Sequence, residues 1–110
     1  MKKFVVIYYS TLEAQAAAAT MTPEAQAKGM EKWMAWKAKS GDRIVDLGNP
    51  LAPAQHLNQE GKWSASTKTV SGYSIIQAES FEIAKALFAD HPHLSWAKGS
   101  TIEVHETVDI

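Results

Sequence analysis

Strand and helix signals alternate along the chain in the order β-α-β-hairpin-β-α-β, the order of a ferredoxin-like α+β fold. Three observations carry this reading. Two runs rich in β-branched and aromatic residues, Phe4–Tyr9 and Val70–Ala78, have the length and composition of buried strands. Thr22-Pro23-Glu24 and Ser80 are helix starts. With 110 residues and 45% hydrophobic composition, the chain has room for one domain and apolar surface enough to fold it.

The elements follow in order. Met1-Lys2-Lys3 before an apolar run resembles a secretion signal, but the run Phe4–Tyr9 is only six residues long and Ser10, Thr11 and Glu13 end it. A signal core needs about 7–15 apolar residues, so the segment reads as a central strand. Ser10–Thr20 reads as a connector, since its alanine run shows neither a polar face nor a cap. In the next helix Thr22 caps, Pro23 suits the first turn, Glu24 favours the positive dipole end and Gly41 stops it. At about 100° per residue, Ala27, Met30, Met34 and Ala38 share a face, while Trp36 lies about 120° away beside lysines. Trp36 is therefore expected to meet a loop or a second chain. Arg43–Gly48 is the second strand, with Val45 and Leu47 expected towards the helices and Ile44 and Asp46 away from them. The polar stretch 49–69 is read as a short hairpin, Gln55–Leu57 against Lys62–Ala65, around Asn58-Gln59-Glu60-Gly61. Val70–Ala78 is the third long strand. Ser80 caps a helix from Phe81 to Asp90 that Pro92 stops. Thr101–Val108 is the last strand.

Composition removes several functions. Eleven basic and twelve acidic residues give a net charge of −1, so no cationic excess exists to hold nucleic acid. The absence of cysteine excludes disulfides and thiolate chemistry. No segment approaches the roughly 18 apolar residues of a membrane span. Phosphate-binding glycine loops, Ser-His-Asp motifs and zinc signatures are missing, and His91-Pro92-His93 lacks a third ligand, so neither cofactor nor metal is expected. The composition suits a soluble, cytoplasmic domain.

The fold itself directs attention to one surface. Two helices cover one face of the sheet and leave the other bare, to be solvated, to line a cavity or to meet another subunit. Strand alternation places Asp46, Glu103 and His105 on that bare face, with Ile44. A carboxylate near an imidazole is minimal equipment for proton transfer. His91 and His93 leave a helix end beside Pro92 and are expected at a pocket mouth, with His91 the better placed for proton transfer. The bland alternative is that both merely cap the helix and see solvent.

The residues Met34-Ala35-Trp36, Gly41-Asp42-Arg43-Ile44-Val45-Asp46, Gly48-Asn49-Pro50-Leu51, Ser71-Gly72-Tyr73-Ser74-Ile75-Ile76-Gln77-Ala78, His91-Pro92-His93-Leu94 and Ile102-Glu103-Val104 occur in an order and spacing that resembles the YCII-related family, its DGPF-domain branch in particular. The resemblance spans Phe4 to Val108. It implies a dimeric α+β barrel, two ferredoxin-like sheets closing on each other, with a pocket in each subunit. It also implies that members are mostly without assigned activity. Some of the DGPF branch are associated with extracytoplasmic-function sigma factors, and one branch of the wider family contains a dehydrochlorinase with a proposed His–Asp pair. That pair has no match in this sequence: Ala25 stands near the histidine position and His91 at the aspartate position. Gly48-Asn49-Pro50-Leu51 likewise departs from the DGPF sequence.

The resulting expectation is a homodimer that binds a small molecule, with His91, Asp46 and Glu103 as catalytic candidates and Trp36, His93, His105 and Asn49 as ligand-binding candidates. The alternative is a non-catalytic regulatory or interaction module whose bare face serves only to dimerise.

Overall fold

The computed structural model describes all 110 residues. Its elements are β1 (Lys2–Tyr9), α1 (Leu12–Ala19), α2 (Pro23–Ser40), β2 (Ile44–Asp46), β3 (Gln55–Leu57), β4 (Trp63–Ala65), β5 (Val70–Ala78), α3 (Phe81–Ala86), α4 (Pro92–Trp96) and β6 (Thr101–Glu106). Four strands form one antiparallel sheet in the order β2-β5-β1-β6, and β3 and β4 form a separate two-stranded hairpin. Leaving the hairpin aside, the sheet order is second-third-first-fourth, the ferredoxin-like arrangement. The two long apolar runs lie at its centre because they alone can fill both neighbouring positions.

Alternation along the strands decides the layers. Phe4, Val6 and Tyr8 of β1 and Ser74, Ile76 and Ala78 of β5 are buried beneath the helices, with Ile102 and Val104 of β6 packed beside them. The alternate residues Val5, Ile7, Tyr9, Tyr73 and Ile75 point to the uncovered face, where no element of the chain lies over them.

Several local expectations change. Ser10–Thr20 contains a helix after all: Thr11 accepts a hydrogen bond from the Ala14 N–H, so the cap lies one residue into the polar break after β1. On α2 the stripe Met30 and Met34 is exposed, at 55% and 45%, while Trp36 is only 4% exposed and Trp33 is half-buried. Counting apolar positions treats methionine and tryptophan alike. The larger ring surfaces win the sheet-facing side, and the Trp36 indole N–H finds a partner there, donating to the Leu87 carbonyl at 2.7 Å. Trp36 thus packs within its own chain, against Phe88 and His91.

In β2 the register slips between Ile44 and Asp46, a bulge-type irregularity. Ile44 therefore packs on the core and Val45 is exposed, the reverse of simple alternation, while Asp46 and Leu47 keep their expected sides. The predicted second helix breaks in two. α3 ends at Ala86 and a turn leads to α4, whose N-cap is His91 with Pro92 at the first helical position. Pro92 therefore starts a helix as well as stopping one. The last strand ends at Glu106, two residues before the expected boundary.

Candidate functional site

Chemistry-bearing side chains gather at the C-terminal end of β1, where Tyr8 and Tyr9 point to opposite faces of the sheet. On the helix side, Tyr8 joins a hydrogen-bonded chain whose direction can be deduced. The His93 backbone N–H donates to His91 Nδ1 at 3.0 Å, so that nitrogen is bare. The proton of the neutral ring is then on Nε2, which donates to Tyr8 Oη at 3.2 Å. Tyr8 Oη in turn donates to Ser74 Oγ at 2.8 Å, and Ser74 Oγ donates to the Leu47 carbonyl at 2.6 Å. The chain crosses from α4 through β1 and β5 to the turn after β2, and His91, Tyr8 and Ser74 each both give and receive.

Burial sets the protonation of this network. Desolvation, with the charge of His93 as a lesser cause, lowers the His91 pKa to about 3, so the imidazole is neutral near pH 7. Desolvation also pushes the Tyr8 phenol up to about 12, with the Ser74 hydrogen bond pulling slightly the other way. Trp33, Trp36 and Phe88 enclose the His91 ring at centroid distances of 4.7, 4.4 and 5.6 Å. His93 is buried too, and its Nε2–H donates to the Tyr9 carbonyl at 2.9 Å. Neither imidazole faces bulk water.

The uncovered face carries a different set. Tyr73 Oη donates to Asp46 Oδ2 at 3.3 Å, and Asp46 Oδ1 accepts from the Gly48 N–H at 2.9 Å. Tyr9 and Glu103 are diagonal neighbours across the β1–β6 pair, since Thr101 lies opposite Tyr9 and Glu103 opposite Ile7. Hydrogen bonding to the Glu103 carboxylate raises the Tyr9 pKa. Two phenol–carboxylate pairs therefore flank an apolar strip that includes Ile7 and Ile75. Beside the Tyr9–Glu103 pair, an open groove of about 690 Å³ is lined by Ser10, Thr11, Lys68, Thr69 and Gly99 among others.

The seven expected site residues fall into three places. His91, His93 and Trp36 come together, but in the core under the helices. Asp46, Glu103 and His105 share the uncovered face as alternation implies, with His105 exposed opposite Val5 on the edge strand β6. The sheet separates the two groups, so His91 does not meet Asp46 or Glu103. Asn49 is exposed in the turn after β2, where its carbonyl accepts from the Tyr73 N–H at 3.4 Å. Of the seven, Glu103 alone lines the strand-end groove. Trp36 contributes to a smaller surface groove of about 300 Å³ between α2 and α4, with Lys32, Lys39 and Asp90.

Tyr8, Tyr9, Tyr73 and Ser74 are absent from the sequence-derived set. The signal for them lies in alternation: adjacent tyrosines at a strand end must face opposite ways, and Ser74 is a polar residue at an inward position between Gly72 and Ile76.

No family model matches the chain, and no curated protein matches it. Among solved structures, the chain is similar to 5-chloro-2-hydroxyhydroquinone dehydrochlorinase (TftG) from Burkholderia phenoliruptrix AC1100, in complex with 2,5-dihydroxybenzoquinone. The identity is 14%, over 94% of this chain and 91% of that chain, with a TM-score of 0.48. A likeness of that degree assigns no residue role and no activity here. The YCII-related resemblance rests on the sequence motifs alone.

Proposed function

We propose that the chain is a small-molecule-binding homodimer in which the uncovered faces of two sheets meet, forming a dimeric α+β barrel of YCII-related type. The observation that carries this reading is the composition of the uncovered face. Val5, Ile7, Val45 and Ile75 form an apolar surface that one chain leaves to solvent, and the carboxylates of Asp46 and Glu103 stand at its margins beside phenols. An apolar floor with acceptors at both sides suits a ligand with an apolar body and hydroxyl or amino groups at its ends. In an enzymatic version Glu103 and Tyr9 are the acid–base pair, because both border the groove and the Glu103 carboxylate raises the Tyr9 pKa.

One observation favours the non-catalytic alternative. Both ring nitrogens of His91 are engaged inside the core, so the imidazole that the sequence singles out for proton transfer has no free atom for a ligand.

The test combines sedimentation equilibrium with a thermal-shift screen of small hydroxylated and amino compounds. The expected result is a dimer at micromolar concentration whose melting temperature is raised by a hit, with the rise lost in Glu103→Gln or Asp46→Asn. A compact monomer overturns the reading. A dimer with no responsive compound and a filled inter-sheet core selects the interaction module.

A further inference from the structure

The hairpin of β3 and β4 has no support from its own chain. All six of its strand residues are exposed, and between Leu51 and Thr69 every hydrogen bond is internal to the segment. The segment is instead braced by the hydrogen bonds of its own turn. Asn58 Oδ1 accepts from the Glu60 and Lys62 N–H groups at 3.0 Å each, the Asn58 N–H donates to the Lys62 carbonyl at 3.0 Å, and Gly61 takes φ +80°. A lone two-stranded hairpin is marginal in water, so a preorganised one points to something that covers it. Leu57 and Trp63 are cross-strand partners at its tip, 49% and 66% exposed, and Trp63 is the most exposed tryptophan of the chain.

We propose that this hairpin is a dimer arm, whose Leu57–Trp63 tip packs on the second copy of the chain at the margin of its uncovered sheet face; the proposal rests on the dimer reading above. Two observations name a second copy as the occupant. The first is continuity. The arm leaves from the same sheet that carries the bare face: the Leu51 N–H donates to the Ser71 carbonyl at 3.0 Å at one root, and the Thr69 carbonyl accepts from the Ser10 N–H at 3.0 Å at the other. The second is area. Four strands spaced about 4.8 Å apart, and about seven residues long at about 3.3 Å each, give a face of only about 450 Å². A stable dimer of ordinary size buries about 800 Å² per partner. The footprint of the sheet face, a projected area and so less than the accessible surface it can bury, still makes a small interface by that measure, and an arm from each copy enlarges it. The shape agrees. The molecule measures 44 × 40 × 20 Å with a radius of gyration of 15.3 Å, against about 13 Å for a compact chain of this length.

Sedimentation equilibrium on five proteins tests the arm separately from the dimer: wild type, Trp63→Ala, Leu57→Ser, Ile75→Lys and, as an exposed control on α2, Met34→Ala. Because Trp63 and Leu57 touch no core residue, circular dichroism of both variants is expected to match wild type. The expected result is a dimer dissociation constant raised at least tenfold by Trp63→Ala and by Leu57→Ser, and unchanged by Met34→Ala. A wild-type dimer broken by Ile75→Lys but within twofold of wild type in both arm variants overturns the arm and leaves the dimer standing. A monomeric wild type overturns both.

Discussion

At the residue scale, His91 shows how burial turns a titratable group into a structural one. Its Nδ1 caps α4 by accepting the His93 N–H, so a proton can enter the ring only by displacing that donor. Its folded pKa, about 3, lies below the ordinary histidine value of 6.5. The unfolded chain therefore takes up the proton first as pH falls. The stability this group contributes is fully present above about pH 6.5 and is lost progressively between about 6.5 and 3, at no more than about 1.4 kcal/mol per pH unit. Urea denaturation between pH 7.5 and 5 should show the wild type level down to about pH 6.5 and weakening below it, while His91→Asn, which keeps a capping side chain and cannot titrate, stays flatter over the same range. A wild-type profile as flat as the variant's contradicts the buried neutral imidazole. Gly48 is a second residue whose role is steric. It takes φ +81°, and a Cβ there would overlap the Tyr73 carbonyl oxygen, where the turn after β2 lies against β5. Gly48→Ala should cost about 2 kcal/mol or more and disturb the Tyr73–Asp46 contact, read as a lowered urea midpoint. An unchanged midpoint removes the close approach from the account.

At the scale of elements, α2 is a helix whose two apolar stripes compete for the sheet. Thr22, Pro23 and Gly41 fix its ends as local chemistry requires: the Thr22 hydroxyl accepts the Ala25 N–H at 3.1 Å, and Gly41 takes φ +61°. Which stripe turns inward is settled by what the sheet offers. The end of α3 presents the Leu87 carbonyl to the Trp36 indole, and His91 presents a ring face beside it. Trp36→Ala leaves a large cavity and an unpaired carbonyl, with an expected loss of about 3–5 kcal/mol, whereas Met34→Ala should change protomer stability by less than about 0.5 kcal/mol. Denaturant titrations of the two variants distinguish the stripes directly. Comparable losses at both positions mean that α2 packs in a different rotation.

At the scale of the whole molecule, the layer of helices on one face leaves a second face whose apolar side chains gain only by association. If two copies unite, dissociation accompanies unfolding, and the melting temperature must depend on protein concentration. A rise across about 1 to 100 µM is expected, with Ile75→Lys abolishing the dependence while leaving far-ultraviolet circular dichroism intact. A concentration-independent transition fits a monomer. No helix of the chain is long and apolar enough to cross a membrane.

The order of the strands and of the long helix, the caps at Thr22, Gly41 and Ser80 and the sides taken by residues on the long strands were readable from the chain alone, because these depend on neighbours a few residues apart. Thr22, Gly41, Ser80, the Val70–Ala78 strand and the hairpin around Asn58 were all legible on that ground, as was the placing of Asp46, Glu103 and His105 on the uncovered face. The short-range rule failed where a long-range contact held the deciding energy. The register slip in β2 exchanged Ile44 and Val45, and the Trp36 indole chose a carbonyl 51 residues away. The same limit applies to the site. That His91 would share a core with Tyr8, 83 residues distant, and be sealed from Asp46 and Glu103 by the sheet between them, follows from the β1–β5 pairing and the path of α4. Only tertiary structure decides which polar side chains lose their water together, and that loss sets whether an imidazole is a catalyst or a cap.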